Sequence, residues 1–279
     1  MNNPYIPNPT VIRRITTEND ANDIKTFELV FTDPEALKNF RYRCGQFAEI
    51  SVFGAGECPI GIASSPTDQG YIQFTVKKVG VVTTALHNSE EGTIIGVRGP
   101  FGNGFPLEAM EGRNVVIIGG GFAFTTLRSL TNFILHKTNR DRFKDLTVIY
   151  GARNPGELIY KYDLKTWGQR DDIDLNVTID QAVPGWTGLV GFVPAVVKEV
   201  APSSDNAIAI ICGPPIMIKF TMPVVSELGF SPDETFLSLE MRMKCGIGKC
   251  GRCNIGNKFV CKDGPVFTFK ELQMMPKEH

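Results

Sequence analysis

Histidine, net charge and long apolar runs are all scarce in this chain of 279 residues. The three histidines, His87, His136 and His279, show no metal-ligand spacing, and no Ser/His/Asp or paired-carboxylate constellation stands out. Hydrolysis carried by side chains therefore has no candidate. Lys plus Arg number 29 against 30 Asp plus Glu, and a net charge of -1 gives no electrostatic case for nucleic acid as the main partner. The longest apolar stretch, residues 115–118 running on into 119–124, falls well short of the roughly 18 to 20 residues that span a bilayer. The opening MNNPYIPNPT lacks a cationic segment and places prolines where a secretory signal carries its apolar core, so a cytoplasmic protein is expected. Hydrophobic residues at 42% and charged residues at 21% exclude a disordered chain.

At roughly 150 residues per domain the length fits about two domains. The first hundred residues alternate as β-structure, at 48–52, 71–77 and 93–98, between Gly and Pro turns. A small antiparallel barrel follows from that pattern. After a charged, unpatterned stretch at 108–113 the chain reads strand (114–118), glycines, helix (125–137), strand (146–150), and then three further strands at 173–179, 207–211 and 235–239. That is the texture of a doubly wound, mostly parallel sheet. Pro223 predicts a kinked or shortened helix between the last two strands. The expected boundaries are a barrel over 1–110, an α/β domain over 111–240 and a small cysteine-rich domain over 241–279.

Seven cysteines are present, and four of them crowd together as Cys245, Cys250, Cys253 and Cys261. In a reducing compartment such a group is more often a metal site than a disulfide framework. The spacing C-x4-C-x2-C-x7-C matches the plant-type [2Fe-2S] pattern, and Gly246, Gly248 and Gly251 let the loop wrap and aim amides at sulfur. Structural zinc is the alternative, although zinc ribbons usually carry two C-x2-C knuckles and here only Cys250 and Cys253 form one. Arg242, Lys244, Lys249, Arg252, Lys258 and Lys262 surround these ligands. They either offset thiolate charge as a solvated face or form a patch that docks an acidic surface on an electron-transfer partner.

Two glycine-bearing turns point to nucleotides. Gly80, with Val82, Thr83 and Thr84, follows a strand and opens a short helix, where a diphosphate or an ordinary N-cap is expected. Gly119, Gly120 and Gly121 stand between a strand and a helix, although Phe124 occupies the third glycine position of a GxGxxG loop. Cys212, Gly213 and Pro214, followed by Met217, close a strand at the carboxyl edge where open α/β sheets bind ligands.

These motifs in this order resemble the ferredoxin-NADP reductase superfamily over nearly the whole chain. Residues 238–267, SLEMRMKCGIGKCGRCNIGNKFVCKDGPVF, are similar to the iron–sulfur end of the diaphorase (gamma) subunits of soluble NiFe hydrogenases and of the corresponding subunit of anaerobic sulfite reductase. They are similar, less closely, to the electron-transfer subunit of dihydroorotate dehydrogenase. The resemblance implies an FAD-binding barrel, an NAD(P)-binding domain and a [2Fe-2S] domain near the flavin. It implies FAD pyrophosphate at Gly80, Val82 and Thr83, NAD(P) pyrophosphate at Gly119 to Gly121, and nicotinamide at Cys212 to Pro214. Phe101 and Gly102 match a family segment following the barrel. The family's R-P-I-S flavin motif reads Cys58-Pro59-Ile60-Gly61 here, without the phosphate-binding Arg or the Ser near the flavin N5. The usual G-G-G-[IL]-G-x-A-P reads GGGFAFTT, with Thr126 for the proline. Gly151-Ala152-Arg153 ends a strand with an Arg that suits the 2′-phosphate of NADP.

The expected function is an electron-transfer subunit linking NAD(P)H to a partner redox enzyme through FAD and [2Fe-2S], in a hydrogenase-like or sulfite-reductase-like complex. A free-standing flavin or dye reductase, or a nucleotide-sensing module with structural zinc, are the alternatives.

Overall fold

The computed structural model describes residues 3–276, so the first two positions of the expected barrel and the last three of the expected third domain, His279 among them, lie outside the described residues. The first sheet is built from β1 (Asn8–Thr17), β2 (Ile24–Phe31), β3 (Phe47–Val52), β4 (Gly56–Gly61), β5 (Ile72–Lys77) and β6 (Ile94–Phe101), with α1 (Pro34–Asn39) and α2 (Val81–His87) between them. Its order is β4-β3-β6-β1-β2-β5, antiparallel throughout. A bridge between Ile62 and Phe74 brings the two edges together, which makes the sheet a small barrel. Period-two alternation turns Ile12, Phe27, Leu29, Ile50, Phe74 and Val97 inward, where they pack as one core.

After α3 (Leu107–Met110) a second sheet begins. Its strands are β7 (Asn114–Gly120), β8 (Leu146–Ala152), β9 (Asp174–Ile179), β10 (Leu189–Val190), β11 (Ala207–Cys212) and β12 (Thr235–Ser238). Helices α4 (Phe124–Leu135), α5 (Lys161–Trp167), α6 (Val193–Val200) and α7 (Pro215–Glu227) connect them. The order β10-β9-β8-β7-β11-β12 is parallel, with cores on both faces. Consecutive strands step outward from β7 to β9, and the chain then returns to place β11 on the other side of β7. The carboxyl ends of β7 and β11 therefore flank a topological switch point, where a crevice opens. The doubly wound expectation holds, but α7 is not shortened at Pro223: it runs through that residue to Glu227. The proline forfeits one backbone hydrogen bond, and Met222 and Val225, packed in the core on either side of it, hold the helix together.

The tail folds as a hairpin of β13 (Asn254–Ile255) and β14 (Lys258–Phe259), then α8 (Val260–Asp263), β15 (Val266–Thr268) and α9 (Phe269–Met274). Strand β15 pairs antiparallel with β12 and so extends the second sheet. Thr268 and Glu271 close a capping box at the start of α9 at 2.9 and 3.1 Å. Among the described residues no helix is long and apolar enough to cross a membrane.

Candidate functional site

Three cavities meet around the carboxyl edge of the second sheet. The first, about 100 Å³, is walled by Pro59, Ile60 and Gly61 of β4, by Phe122, Thr125 and Thr126 at the head of α4, and by Cys212 at the end of β11. Glu240, Met243 and Pro265 of the tail complete it. Segments far apart in sequence thus share one small space, and Met243 stands two residues before Cys245. The second, a groove of about 980 Å³ between α7 and α9, joins the first at Cys212 and Glu240 and also exposes Gly213 and Pro214. The third, about 550 Å³, is lined by Gly120, Gly121, Gly151, Ala152, Arg153, Pro214 and Met217.

The glycines have distinct physical reasons. Gly121 takes φ +56° with open space where a Cβ would stand, so backbone is bare toward the third cavity. A Cβ on Gly120 would run into the Met217 thioether. Gly119 lies on the other side, its missing Cβ filled by Phe124 and Leu127 of α4. In the third cavity Arg153 faces Asp180 and Glu157; burial raises the Asp180 carboxyl and the Arg153 guanidinium pulls it back. Asp23 and Lys77 line the same cavity and pair with each other at 3.6 Å.

At α2, the hydroxyl of Thr83 is engaged locally, accepting from the amides of Gly80 and Val79 at 2.9 and 3.0 Å and donating to Gly80 O at 3.1 Å. It serves the N-terminal turn, while Gly80 is exposed and Val82 half-buried beside it. Cys58 is half-buried and absent from the cavity wall, which the next three residues, Pro59 to Gly61, line instead; burial pushes its thiol up to about 12.

Phe101 and Gly102 dock the tail onto the barrel. Gly102, at φ +74°, has no room for a Cβ beside Gly264 O. The neighbouring Asn103 donates from Nδ2 to Asp263 O (3.1 Å) and Val266 O (2.7 Å) and accepts from Val266 N (3.0 Å). The Phe101 ring fills the place of a side chain on Gly246. Above it lies Arg98, 3% exposed, with its guanidinium 5.3 Å from the ring centroid. Arg98 binds both carboxylate oxygens of Glu57 and donates to Cys245 O (2.8 Å) and Lys244 O (3.3 Å). The cysteine loop is thus held by the barrel as well as by its own chain.

Within that loop Gly246, Gly248 and Gly251 all take positive φ, between 71° and 74°. The turns they allow aim Lys249 N and Cys250 N at the Cys245 sulfur (3.3 and 3.4 Å) and Gly248 N at the Cys261 sulfur (3.1 Å). Cys250 neighbours Cys245, and both Cys253 and Cys245 neighbour Cys261. Among the described residues no three His, Cys, Asp or Glu side chains converge as a single metal ion would require. Burial works against the Cys245 thiolate, but the amides of Ile247, Cys250 and Lys249 outweigh it and bring this thiol down to about 6. Burial and the adjacent Cys253 push Cys261 up to about 12. Cys253 and Cys261 are 1% exposed, whereas Cys250 is at the surface. Arg242, Lys244, Lys249, Arg252 and Lys262 are exposed and Lys258 half-buried, and none pairs with a described carboxylate.

The sequence reading missed Arg98, Asn103, Glu240 and Met243. Only the last two had a usable signal, lying between the end of β12 and the first cysteine.

A barrel joined to a doubly wound sheet whose carboxyl edge faces it defines an oxidoreductase of the flavin- and nicotinamide-binding type. Residues 11–105 match the oxidoreductase FAD-binding domain, 117–222 the oxidoreductase NAD-binding domain, and 240–273 the iron-sulfur cluster binding domain of dihydroorotate dehydrogenase B. The chain is 36% identical to the sulfhydrogenase 1 subunit gamma of Pyrococcus furiosus, covering 98% of this chain and 94% of that protein. It is 33% identical to a probable dihydroorotate dehydrogenase B electron transfer subunit of Thermococcus kodakarensis, over 90% of this chain and 93% of that one. Among solved structures, the NADH-dependent reduced ferredoxin-NADP oxidoreductase, described for flavin-based electron bifurcation, superposes with a TM-score of 0.74 at 28% identity, over 94% of this chain and 88% of that chain. The chain belongs to the ferredoxin-NADP reductase-like family of sulfhydrogenase gamma and dihydroorotate dehydrogenase B electron-transfer subunits.

Proposed function

We propose that the chain is the electron-transfer subunit of a larger redox complex, exchanging electrons between NAD(P)H and a catalytic partner subunit through FAD and a [2Fe-2S] cluster. The observation that carries this reading is the cavity shared by Gly61, Cys212 and Met243, which touches the barrel, the carboxyl edge of the second sheet and the approach to the cysteine loop at once. A flavin takes a hydride's two electrons together and releases them singly, which is the exchange needed between a nicotinamide and an iron–sulfur cluster.

The residues fit these groups. The first cavity is small for a whole flavin, so it suits the edge of the ring, with the rest along the open side of β4 and the turn at Gly80. Pro59, Ile60 and Thr126 would hold that edge. Gly120, Gly121, Gly151 and Met217 would hold the dinucleotide, with Cys212 to Pro214 beside the nicotinamide. Four neighbouring cysteines, with backbone amides donating to the Cys245 and Cys261 sulfurs, suit an iron–sulfur cluster, and the half of the loop around Cys250 meets solvent, where a partner can approach. The unpaired cations from Arg242 to Lys262 would dock an acidic face of that partner. We assign domain boundaries near residues 110 and 240.

Arg153 alone favours NADPH, but Asp180 and Glu157 share its cavity and oppose a 2′-phosphate. NADH is therefore the proposed nucleotide. The test is anaerobic titration of the purified protein with NADH and NADPH, followed by its visible spectrum and by iron and acid-labile sulfide analysis. NADH bleaching both flavin and cluster bands, with iron and sulfide in equal amounts, is expected. Stoichiometric zinc without sulfide overturns the cluster, and a preference for NADPH overturns the nucleotide assignment.

A further inference from the structure

We infer that the Phe122 ring is a partition between the nucleotide cleft and the flavin cavity, turned aside when the nicotinamide passes from one to the other; the inference rests on the functional reading above. That reading puts the pyrophosphate at Gly120 and Gly121 and the nicotinamide beside Cys212. Gly120 and Gly121 line the third cavity, whereas Cys212 lines the first and second and not the third. The walls of the first and third cavities have one residue in common, and it is Phe122. The same residue lines the second cavity, so it stands where all three meet. A dinucleotide with its pyrophosphate in the third cavity therefore brings its nicotinamide to the first only past this side chain.

The way Phe122 is held lets it move. It lies in the single turn of 3-10 helix, Gly121–Ala123, that joins β7 to α4, and the preceding Gly121 offers no side chain to brace it. The ring is half-buried, packed against the edge of the core of the second sheet. Phe124, two residues on, is the contrast: it is 0% exposed, stacked on Tyr150 with ring centroids 4.1 Å apart, and meets Trp167 edge-on at 6.1 Å. Among the described residues no aromatic ring pairs with Phe122 in this way. A ring with few buried contacts loses little when it turns. Where the arrangement that admits a ligand is a minority of the population, the apparent affinity of that ligand falls by the same fraction. The nicotinamide half of the dinucleotide bears that cost, and the ADP-ribose half, which stays in the third cavity, does not.

Calorimetric titration of the full-length, oxidised protein with NAD+ and with ADP-ribose separates the two halves, because NAD+ has no hydride to give and ADP-ribose lacks the nicotinamide. Phe122→Ala removes the ring. Its NAD+ dissociation constant should fall about tenfold, which corresponds to a ring turned aside about a tenth of the time in the parent, while its ADP-ribose affinity stays the same. Phe122→Leu, which puts back the aliphatic residue usual at this place in the G-G-G-[IL]-G-x-A-P motif and keeps more of the packing, should move in the same direction by a smaller factor, and it decides the matter if Phe122→Ala does not fold. Unchanged or weaker NAD+ binding overturns the partition, and so does an equal change for the two ligands. Failure of the parent chain to bind either ligand overturns the nucleotide reading itself, which is a separate result.

Discussion

The cysteine loop and the shared cavity are built in opposite ways. The loop takes its four thiols and its sulfur-directed amides from residues 245–261, so local backbone turns do most of the work. The cavity is assembled from β4, the head of α4, β11 and the tail, segments that lie far apart in the sequence. Spacing identifies a site made from consecutive residues, whereas an assembled site exists only once the strands are in register. The loop is nevertheless anchored from outside itself, through Arg98 and Asn103.

The largest effect that tests this contrast is expected from Cys253→Ser. Cys253 is 1% exposed and packs with Met243, Val260, Cys261 and Phe267 in the core of the tail. A cluster bound there contributes its binding free energy to folding of the tail. The variant should lose iron and visible cluster absorbance entirely, and the tail should become sensitive to proteolysis while flavin absorbance survives. Cys250→Ser, at the surface, should retain the tail's packing and lose only part of the iron. Equal losses in the two variants would break the picture of a loop graded from a buried to an exposed half.

Much of this was legible in the sequence. The barrel, the doubly wound sheet and the thiol set all follow from period-two alternation, strand–helix succession and cysteine spacing. Three things were not. Pro223 predicts a kinked or shortened helix, yet α7 is not shortened there, with Met222 and Val225 packed in the core on either side. Phe101 and Gly102 match a family segment but give no hint that they brace Gly246 and Gly264, because a close approach leaves no trace in sequence. Arg98 reads as an ordinary strand residue, and its role emerges only when β6 lies beside β3 and the tail returns across them. Thr83 and Thr84 illustrate the converse, since the hydroxyl of Thr83 fits a ligand or a cap equally well on paper and serves the cap here.

A smaller effect is expected from Arg98→Ala, which asks how far the loop depends on the barrel. The substitution removes the donors to Cys245 O and Lys244 O and leaves Glu57, one third exposed, without its partner. Breaking a buried pair costs about 3 kcal/mol at the lower end of the usual range, which suits a carboxylate with partial access to water. The melting temperature should fall by roughly 6–10 °C, and cluster loss on dilution should accelerate. An unchanged melting curve would mean that the loop holds itself and that the barrel merely touches it.

The smallest effect concerns Glu49, which lies on β3 where Arg98 pairs with it in register. It is 0% exposed, and neither carboxylate oxygen has a hydrogen-bond partner. Burial raises its carboxyl to about 7; Arg98 pulls it down, while Glu57 and Cys245 push it further up. Because the folded value lies above the unfolded one, the folded state retains a proton that the unfolded chain releases. Stability from this group is full below about pH 4.5 and is lost as pH rises toward 7. Glu49→Gln removes that dependence, so the gain in stability of the variant over the parent should grow across the window to on the order of 2 kcal/mol and then level off. Denaturant unfolding of both proteins at pH 5 and pH 8 measures it. A constant difference at the two pH values would show that Glu49 is ionised in the folded protein throughout. The wall between barrel and loop would then carry a buried charge balanced by Arg98, and the loss in Arg98→Ala would have to be shared between Glu57 and Glu49.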